Sequence, residues 1–228
     1  MKVYTGAQTL ESMSQANLYN KWTLNKFKKY LTGEILEVGC GVGNFTLTLA
    51  SYGKVTAIDV DKSFIKKIVS KNPKIKAGFG NIERGVYFFE DKYFDTIVCI
   101  NVLEHIKADN QALGNMFRLL KPGGTLILLV PIHQFLYGEI DRSIGHFRRY
   151  NSSELVTKIL NLNLKIIMTR KLNLLGAIGW YVSSRILHNT SITPYKIKLF
   201  NLLSPILYIE NIIEPPIGTS VLIIAKKI

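Results

Sequence analysis

Between residues 34 and 131 the apolar positions fall into short blocks of two periods. The runs "EILEVG", "KVTAID", "IKAGF", "FDTIVCI" and "TLILLV" are strand-length, rich in Ile, Val and Leu, and bounded by Gly, Pro or Asp. Between them apolar residues recur at helical spacing, predicting a helix from about Asn44, one over "KSFIKKIVS" and one over "NQALGNMFRLL", with the turn "KPGG" after the last. A helix through "LYNKWTLNKFKKYL", stopped by Gly33, comes first. Strands of this kind alternating with helices predict an α/β, Rossmann-like doubly wound sheet, mostly parallel, with helices on both faces. Such a sheet binds ligands at the carboxyl ends of its strands.

After Pro131 the pattern changes. "YGEIDRSIGHFRRY" (residues 137–150) mixes an Asp, a His and three Arg with aromatics and glycines, a composition that suits a ligand better than a core or a plain solvated loop. "NSSELVTKIL" follows, with Asn151 as N-cap and Glu154 as its capping-box partner. Then come a strand "LKIIMT", an apolar segment "LNLLGAIGWYVSSRIL", a helix near "YKIKLFNLLSPILYI" and a last strand "SVLIIAKK". The two late strands are expected to pair as an antiparallel edge. One domain over 1–228 is expected, with a helical cap (1–33), a core (34–130) and an insertion, apolar lid and final strands (131–228).

Composition narrows the setting. The chain has 228 residues, 47% hydrophobic, enough for one sizeable core. Cys40 and Cys99 have no C-x-x-C spacing, so neither a disulfide framework nor a zinc site is indicated, and a reducing, cytoplasmic compartment is expected. Neither a signal-like start nor an apolar run long enough to span a bilayer is present, so secretion and membrane insertion are not expected. The net charge of +13 attracts anions without choosing among nucleic acid, anionic lipid and phosphorylated small molecules. Five of the seven arginines lie after residue 140, a hint of an anionic ligand in the second half.

"LEVGCGVGNF" joins the first strand to its helix. Gly39, Gly41 and Gly43 let backbone approach a ligand closely there. A dinucleotide fingerprint would need glycine where Asn44 stands, which weakens a pyrophosphate turn. Asp59 ends the next strand about 20 residues on, where a carboxylate accepts two hydrogen bonds from a ribose diol. Glu37 would repel a pyrophosphate but tolerate an ammonium or sulfonium ligand.

Taken together, "ILEVGCGVGNFT", Asp59 after "VTAI", "FDTIVCINVLEHI" and "LLKPGGTLILLVP" resemble the class I, seven-β-strand S-adenosylmethionine-dependent methyltransferases of the small-molecule type (type 11/12-like), over about residues 33–131. The resemblance implies that Glu37 and the backbone from Gly39 through Cys40 and Gly41 to Gly43 hold the methionine end. It puts Asp59, with Val60, at the ribose, Asn81 and Ile82 at the adenine, and Asn101 and Val102 at the sulfonium, with S-adenosylhomocysteine as product. Many relatives carry Asp where this chain has Asn81. His105 either orders the loop after the fourth strand or serves as a base, and Cys99 is expected in the core.

Methyl transfer from a sulfonium is an in-line displacement that needs alignment, exclusion of water and, for a hydroxyl acceptor, a proton acceptor; no metal is required. The 137–150 stretch is expected over the sulfonium. His146 is the preferred general base, because imidazole titrates near neutral pH, with Asp141 orienting it; the alternative is that Asp141 pairs with an Arg and His146 holds the loop against the sheet by hydrogen bonding. Arg148 or Arg149 would bind an acceptor carboxylate or phosphate, and Tyr137 and Tyr150 would pack on it. The pattern D-x-x-x-G-H-x-R-R-Y resembles that of methyltransferases in surface-polysaccharide and lipid-linked sugar pathways. A small-molecule or lipid-linked, sugar-type acceptor and O-methylation are therefore expected. The apolar segment, with Trp180 and Tyr181, either covers the sheet, joins a homodimer or touches the inner membrane face. Nucleic acid is disfavoured, since "NVLE" replaces the Pro-Pro-aromatic motif of amino-group nucleic-acid methyltransferases. A nicotinamide oxidoreductase and a non-catalytic cofactor binder are the other readings.

Overall fold

A computed structural model describes residues 16–90, 93–191 and 193–228. Residues 1–15 of the expected N-terminal cap lie outside them. The core follows the predicted alternation: α1 (Asn17–Phe27), β1 (Glu34–Val38), α2 (Thr46–Leu49), β2 (Lys54–Asp59), α3 (Lys62–Lys71), β3 (Lys76–Asn81), β4 (Val86–Tyr87), β5 (Phe94–Ile100), α4 (Asp109–Leu119) and β6 (Leu120–Pro131). The remainder is α5 (Glu139–Ser143), α6 (Ser152–Leu160), β7 (Leu164–Leu172), α7 (Leu174–Trp180), α8 (Pro194–Leu203) and β8 (Ser220–Lys227). A π-helical turn (Tyr181–Ile186) extends α7, and a 3-10 segment (Ser204–Asn211) extends α8.

The eight strands form one sheet in the order β4-β3-β2-β1-β5-β6-β8-β7. β3, β2, β1, β5 and β6 are parallel; β8 runs against both β6 and β7, and β4 against β3. The late strands thus make the expected antiparallel pair, with β8 inserted one place in from the edge.

Because side chains alternate across a strand, each strand feeds two cores. Leu36, Ile97, Leu128 and Ile223 face one side, under Leu113 and Met116 of α4 and Leu155 of α6. Ile35, Val98, Ile127 and Leu222 face the other, under Trp22 and Phe27 of α1. Trp22 buries its ring and donates its Nε1–H to the Leu207 carbonyl at 2.9 Å, which ties α1 to the segment after α8.

Local departures have local causes. The helix expected from Asn44 begins only at Thr46, because glycines at positive φ hold the chain in a turn until then. "KPGG" is not a turn ending the helix but a bulge inside β6: Phe94 pairs with Leu120 and Thr96 with Thr125, so four residues loop out. Asn151 caps α6, accepting from Ser153 N–H at 2.9 Å, while no return bond from Glu154 is among those of the described residues. Cys99 is fully buried in β5.

Leu222 sits in β8, the strand that joins β6 to β7, with no exposed surface. Leu222→Ala should cost about 2–5 kcal/mol of unfolding free energy, measured by urea denaturation.

Candidate functional site

A cavity of about 930 Å³ opens over the carboxyl ends of β1, β2, β3 and β5 and runs beneath α1, α7 and α8. That volume is at the upper end for small-ligand sites. Glu37, Gly39, Cys40, Gly41, Asp59, Val60, Asn81, Ile82, Asn101 and Val102 all line it. Gly43 does not; it shapes the turn behind, with φ +89° and Ile68 3.2 Å from where a Cβ would be.

The loop after β1 is built for close approach. Gly39 has φ +71°, and a Cβ there would lie 2.4 Å from Val102 Cγ2, so only glycine fits. Gly39 N–H donates to the Ile58 carbonyl at 2.8 Å. Asp59 accepts from Gly41 N–H and Asp61 N–H, each at 2.8 Å, which locks the glycine loop to the end of β2. Burial nevertheless raises the Asp59 carboxyl above the usual range. Glu37 is buried and accepts the Thr46 hydroxyl at 2.6 Å. Burial pushes its carboxyl up to about 8. Asn101, at φ +52°, turns the chain sharply after β5, and Asn81 Oδ1 accepts from Arg84 N–H at 3.0 Å.

On the other side stand the residues of 137–150. Asp141 is fully buried in α5; its Oδ1 lies 2.8 Å from His146 Nδ1 and accepts from Arg149 Nε at 2.9 Å. Its Oδ2 accepts from Gly138 N–H and Trp180 Nε1–H, both at 3.0 Å. The His146, Arg149 and Gly138 contacts outweigh the burial cost, so this carboxyl is held below the ordinary value. His146 presents Nε2 3.7 Å from Glu104 Oε1, with the His105 ring packed edge-on at 4.6 Å. Glu104 is fully buried and neither carboxylate oxygen has a hydrogen-bond partner; burial pushes it up to about 7. Burial and the neighbouring His146 push His105 down to about 3. Glu104, His105, His146 and Arg149 line the cavity.

The structure thus brings Asp141, His146 and Arg149 together and sends the other three candidates elsewhere. Arg148 pairs with Asp109 at 3.0 Å and bonds the Lys107 carbonyl. Tyr150 donates its hydroxyl to the Leu103 carbonyl and to Asp109, both at 3.1 Å. Tyr137 donates to the His146 carbonyl at 2.8 Å. None of the three lines the cavity; they brace the loop. Arg149 reaches the wall but is committed to Asp141, to the carbonyls of Ile132 and Thr219, and to the Trp180 ring 4.7 Å away. Two residues escaped the sequence reading. Glu104 sits one place before His105 in a motif read as loop-ordering, and Trp180 was visible only as an aromatic in an apolar run.

Comparison with known proteins points the same way. Residues 36–128 match the family model of the methyltransferase domain. A ubiquinone biosynthesis O-methyltransferase of Rickettsia typhi is 35% identical over 97 residues, which is 42% of this chain and 39% of that protein. The chain therefore matches well under half the length of this relative. Among solved structures, an S-adenosylmethionine-dependent methyltransferase from Archaeoglobus fulgidus superposes with a TM-score of 0.63 at 18% identity, over 93% of this chain and 94% of that one. The N-methyltransferase NodS from Bradyrhizobium japonicum, in complex with S-adenosyl-L-homocysteine, gives 0.56 at 17% identity, over 91% and 84%. These two likenesses establish the fold.

The buried Glu37 carboxyl generates a prediction. Its folded-state pKa of about 8 lies above an unfolded value of about 4.3. Between those values the folded chain binds the extra proton, so its contribution to stability is present at low pH and lost as pH rises. In ligand-free protein, unfolding free energy should fall from about pH 5 to about pH 8, and Glu37→Gln should flatten part of that slope. Parallel urea titrations check it; an identical slope in the variant would refute the assignment.

Proposed function

We propose that the chain is a class I S-adenosylmethionine-dependent methyltransferase, a reading supported by the match of residues 36–128 to the methyltransferase domain, and that it transfers the methyl group of that cofactor to a hydroxyl of an apolar, lipid-linked small molecule of sugar type. The observation that carries the reading is that Glu104, His105 and His146 line the same cavity as the glycine loop and Asp59. Glu37 and the Gly39–Gly41 backbone take the methionine end, Asp59 the ribose hydroxyls, Asn81 and Ile82 the adenine, and Asn101 and Val102 the sulfonium. Asn81 offers an amide where many relatives offer a carboxylate, so its bond to the adenine amino group is a neutral one.

The reaction breaks the sulfur–methyl bond, leaves the electron pair on sulfur and forms an oxygen–methyl bond as the hydroxyl proton departs. The acceptor oxygen rests against His146 Nε2 and Glu104, where that proton is given up, and Asp141 fixes the imidazole orientation. An oxygen acceptor suits a buried, oriented imidazole, and the Rickettsia typhi relative is by name an O-methyltransferase.

The acceptor side supports an apolar body. Ile140, Ile144, Trp180, Val182, Ile197 and Phe200 line it, and with Arg149 committed, Lys196 is the remaining lysine or arginine among its described lining residues. Lys196, now bonded to Ser183 at 2.7 Å, is placed for an anionic group such as a phosphate. The lid also turns apolar side chains outward: Tyr195 and Leu202 on α8, then Ile206, Ile209 and Ile212 beyond it. No Asp or Glu occurs between Ser191 and Ile209, so this face would sit well against the anionic surface that holds such an acceptor. Among the described residues no helix is long and apolar enough to cross a membrane.

Calorimetry with S-adenosylmethionine tests the cofactor half. Asp59→Ala should weaken binding about tenfold or more, as expected for the loss of hydrogen bonds to a charged group; unchanged affinity would remove the ribose role. Screening of lipid-linked against water-soluble sugars tests the acceptor half. On the acceptor so found, His146→Ala should lower kcat by about 10²–10⁴-fold with cofactor affinity retained, and normal turnover would rule His146 out.

A further inference from the structure

We propose that Glu104, His105 and His146 form a binding site for a divalent transition-metal ion of the zinc type, open toward the acceptor. One ligand atom from each residue lies within 4.8 Å of the other two, and His146 Nε2 and Glu104 Oε1 are 3.7 Å apart. Donors bound about 2.1 Å from a zinc ion stand roughly 3.4 Å from one another, so side-chain adjustments of about an ångström complete the site.

The independent observation is Glu104 itself. It has no exposed surface, both its oxygens lack a hydrogen-bond partner, and 3.7 Å is too long for His146 to supply one. Buried polar groups are almost always satisfied, and an exception asks for an ion or water. The charges of His146 and Arg149 ease its burial without filling its oxygens, because the Arg149 hydrogen bond goes to Asp141. A cation among the three side chains gives the Glu104 carboxylate its partner.

What stands behind the histidines fits the same assignment. Asp141 holds His146 through Nδ1 at 2.8 Å and leaves Nε2 facing Glu104. His105 hydrogen-bonds the backbone of Gly145. A carboxylate or carbonyl behind each ligating imidazole is the arrangement that fixes tautomer and ring orientation at metal sites. Two imidazoles and one carboxylate favour zinc, cobalt or manganese over calcium or magnesium, and three protein ligands leave a position open.

That open position faces the cavity, and here the inference rests on the methyl-transfer reading. The acceptor oxygen becomes the fourth ligand and loses its proton to water; its lone pair then attacks the methyl carbon as the sulfur–carbon bond breaks toward sulfur. In this form of the site the ion takes over the activation of the hydroxyl, His146 binds the ion through Nε2 in place of accepting the proton, and Asp141 remains its positioning residue.

The test uses the full chain, stripped with a chelator and desalted, then titrated with Zn²⁺ by calorimetry and with Co²⁺ by visible absorption. One ion per chain is expected, with the intense cobalt bands of a four- or five-coordinate site. Asp141→Asn should weaken affinity about 10–100-fold, and His105→Ala and Glu104→Gln by more. Glu104→Gln is nearly isosteric, so it keeps the test usable if His105→Ala fails to fold. Absence of stoichiometric binding, or binding unchanged in both ligand variants, would overturn the site. S-adenosylmethionine affinity, measured on the same samples, separates the two readings. Protein that binds cofactor but no ion loses the metal site and keeps methyl transfer; protein that binds the ion but not the cofactor does the reverse.

Discussion

The Asp141 carboxylate is removed from solvent and accepts hydrogen bonds from Gly138, His146, Arg149 and Trp180, four groups with different positions in the chain. A charge buried this deeply costs several kcal/mol unless its lone pairs are filled, so the four donors must arrive together. Their arrival sets the start of α5, the direction of the His146 ring, the path of the chain into α6 and the seat of α7. Ser184, in the π-helical turn after α7, adds a bond from Ile140 N–H at 3.1 Å. Lid and acceptor loop are consequently one packed unit. The sheet below holds that unit through Arg149, which reaches the carbonyls of Ile132 after β6 and Thr219 before β8.

Charge balance within this unit sets Glu104 apart. Arg149 gives its hydrogen bonds to Asp141, which leaves Glu104 with no hydrogen-bond partner and only the more distant charges of His146 and Arg149 to offset its burial. Removing the solvent from such a group raises its proton affinity, as its position near 7 reflects. Perturbed groups of this sort gather at sites where chemistry is done, because the same strain that lowers stability readies the group for a ligand. Glu37 does the equivalent service across the cavity, buried against a single hydroxyl at the place proposed for a cationic ligand.

The parallel core was legible because strand and helix periods are set by burial on a two-faced sheet, and Ile35 and Leu36 already belong to opposite cores. The glycine loop was legible because Gly39 meets a steric demand that other residues fail. The Asp141–His146 pair was foreseen from residue type alone. The fates of Arg148 and Tyr150 were not, since both depend on Asp109, a residue about 40 positions earlier that folding brings beside them. For Arg149 the alternative foreseen from the sequence holds: the anion it meets is the chain's own Asp141. β4, two residues long, carries too little pattern to be read, and the burial of Glu104 without a hydrogen-bond partner emerges only in three dimensions.

The match to the methyltransferase domain ends at residue 128, before any of the acceptor-side unit begins. That boundary has a physical meaning. On the proposed reading, a cofactor of fixed shape keeps the loop after β1, the end of β2 and the turn after β5 under one set of demands, whereas the acceptor is met by α5, α7 and α8, which the sheet does not dictate. α8 turns Ile197 and Phe200 into the cavity and Tyr195 and Leu202 toward the outside, so it is apolar on both faces. A helix of that character gains nothing from water on either side. On the proposed reading, the acceptor's apolar part meets the inner face and the surface that carries it meets the outer one. Specificity then resides in the lid, while the chemistry it covers is fixed by Asp141 and the groups it holds.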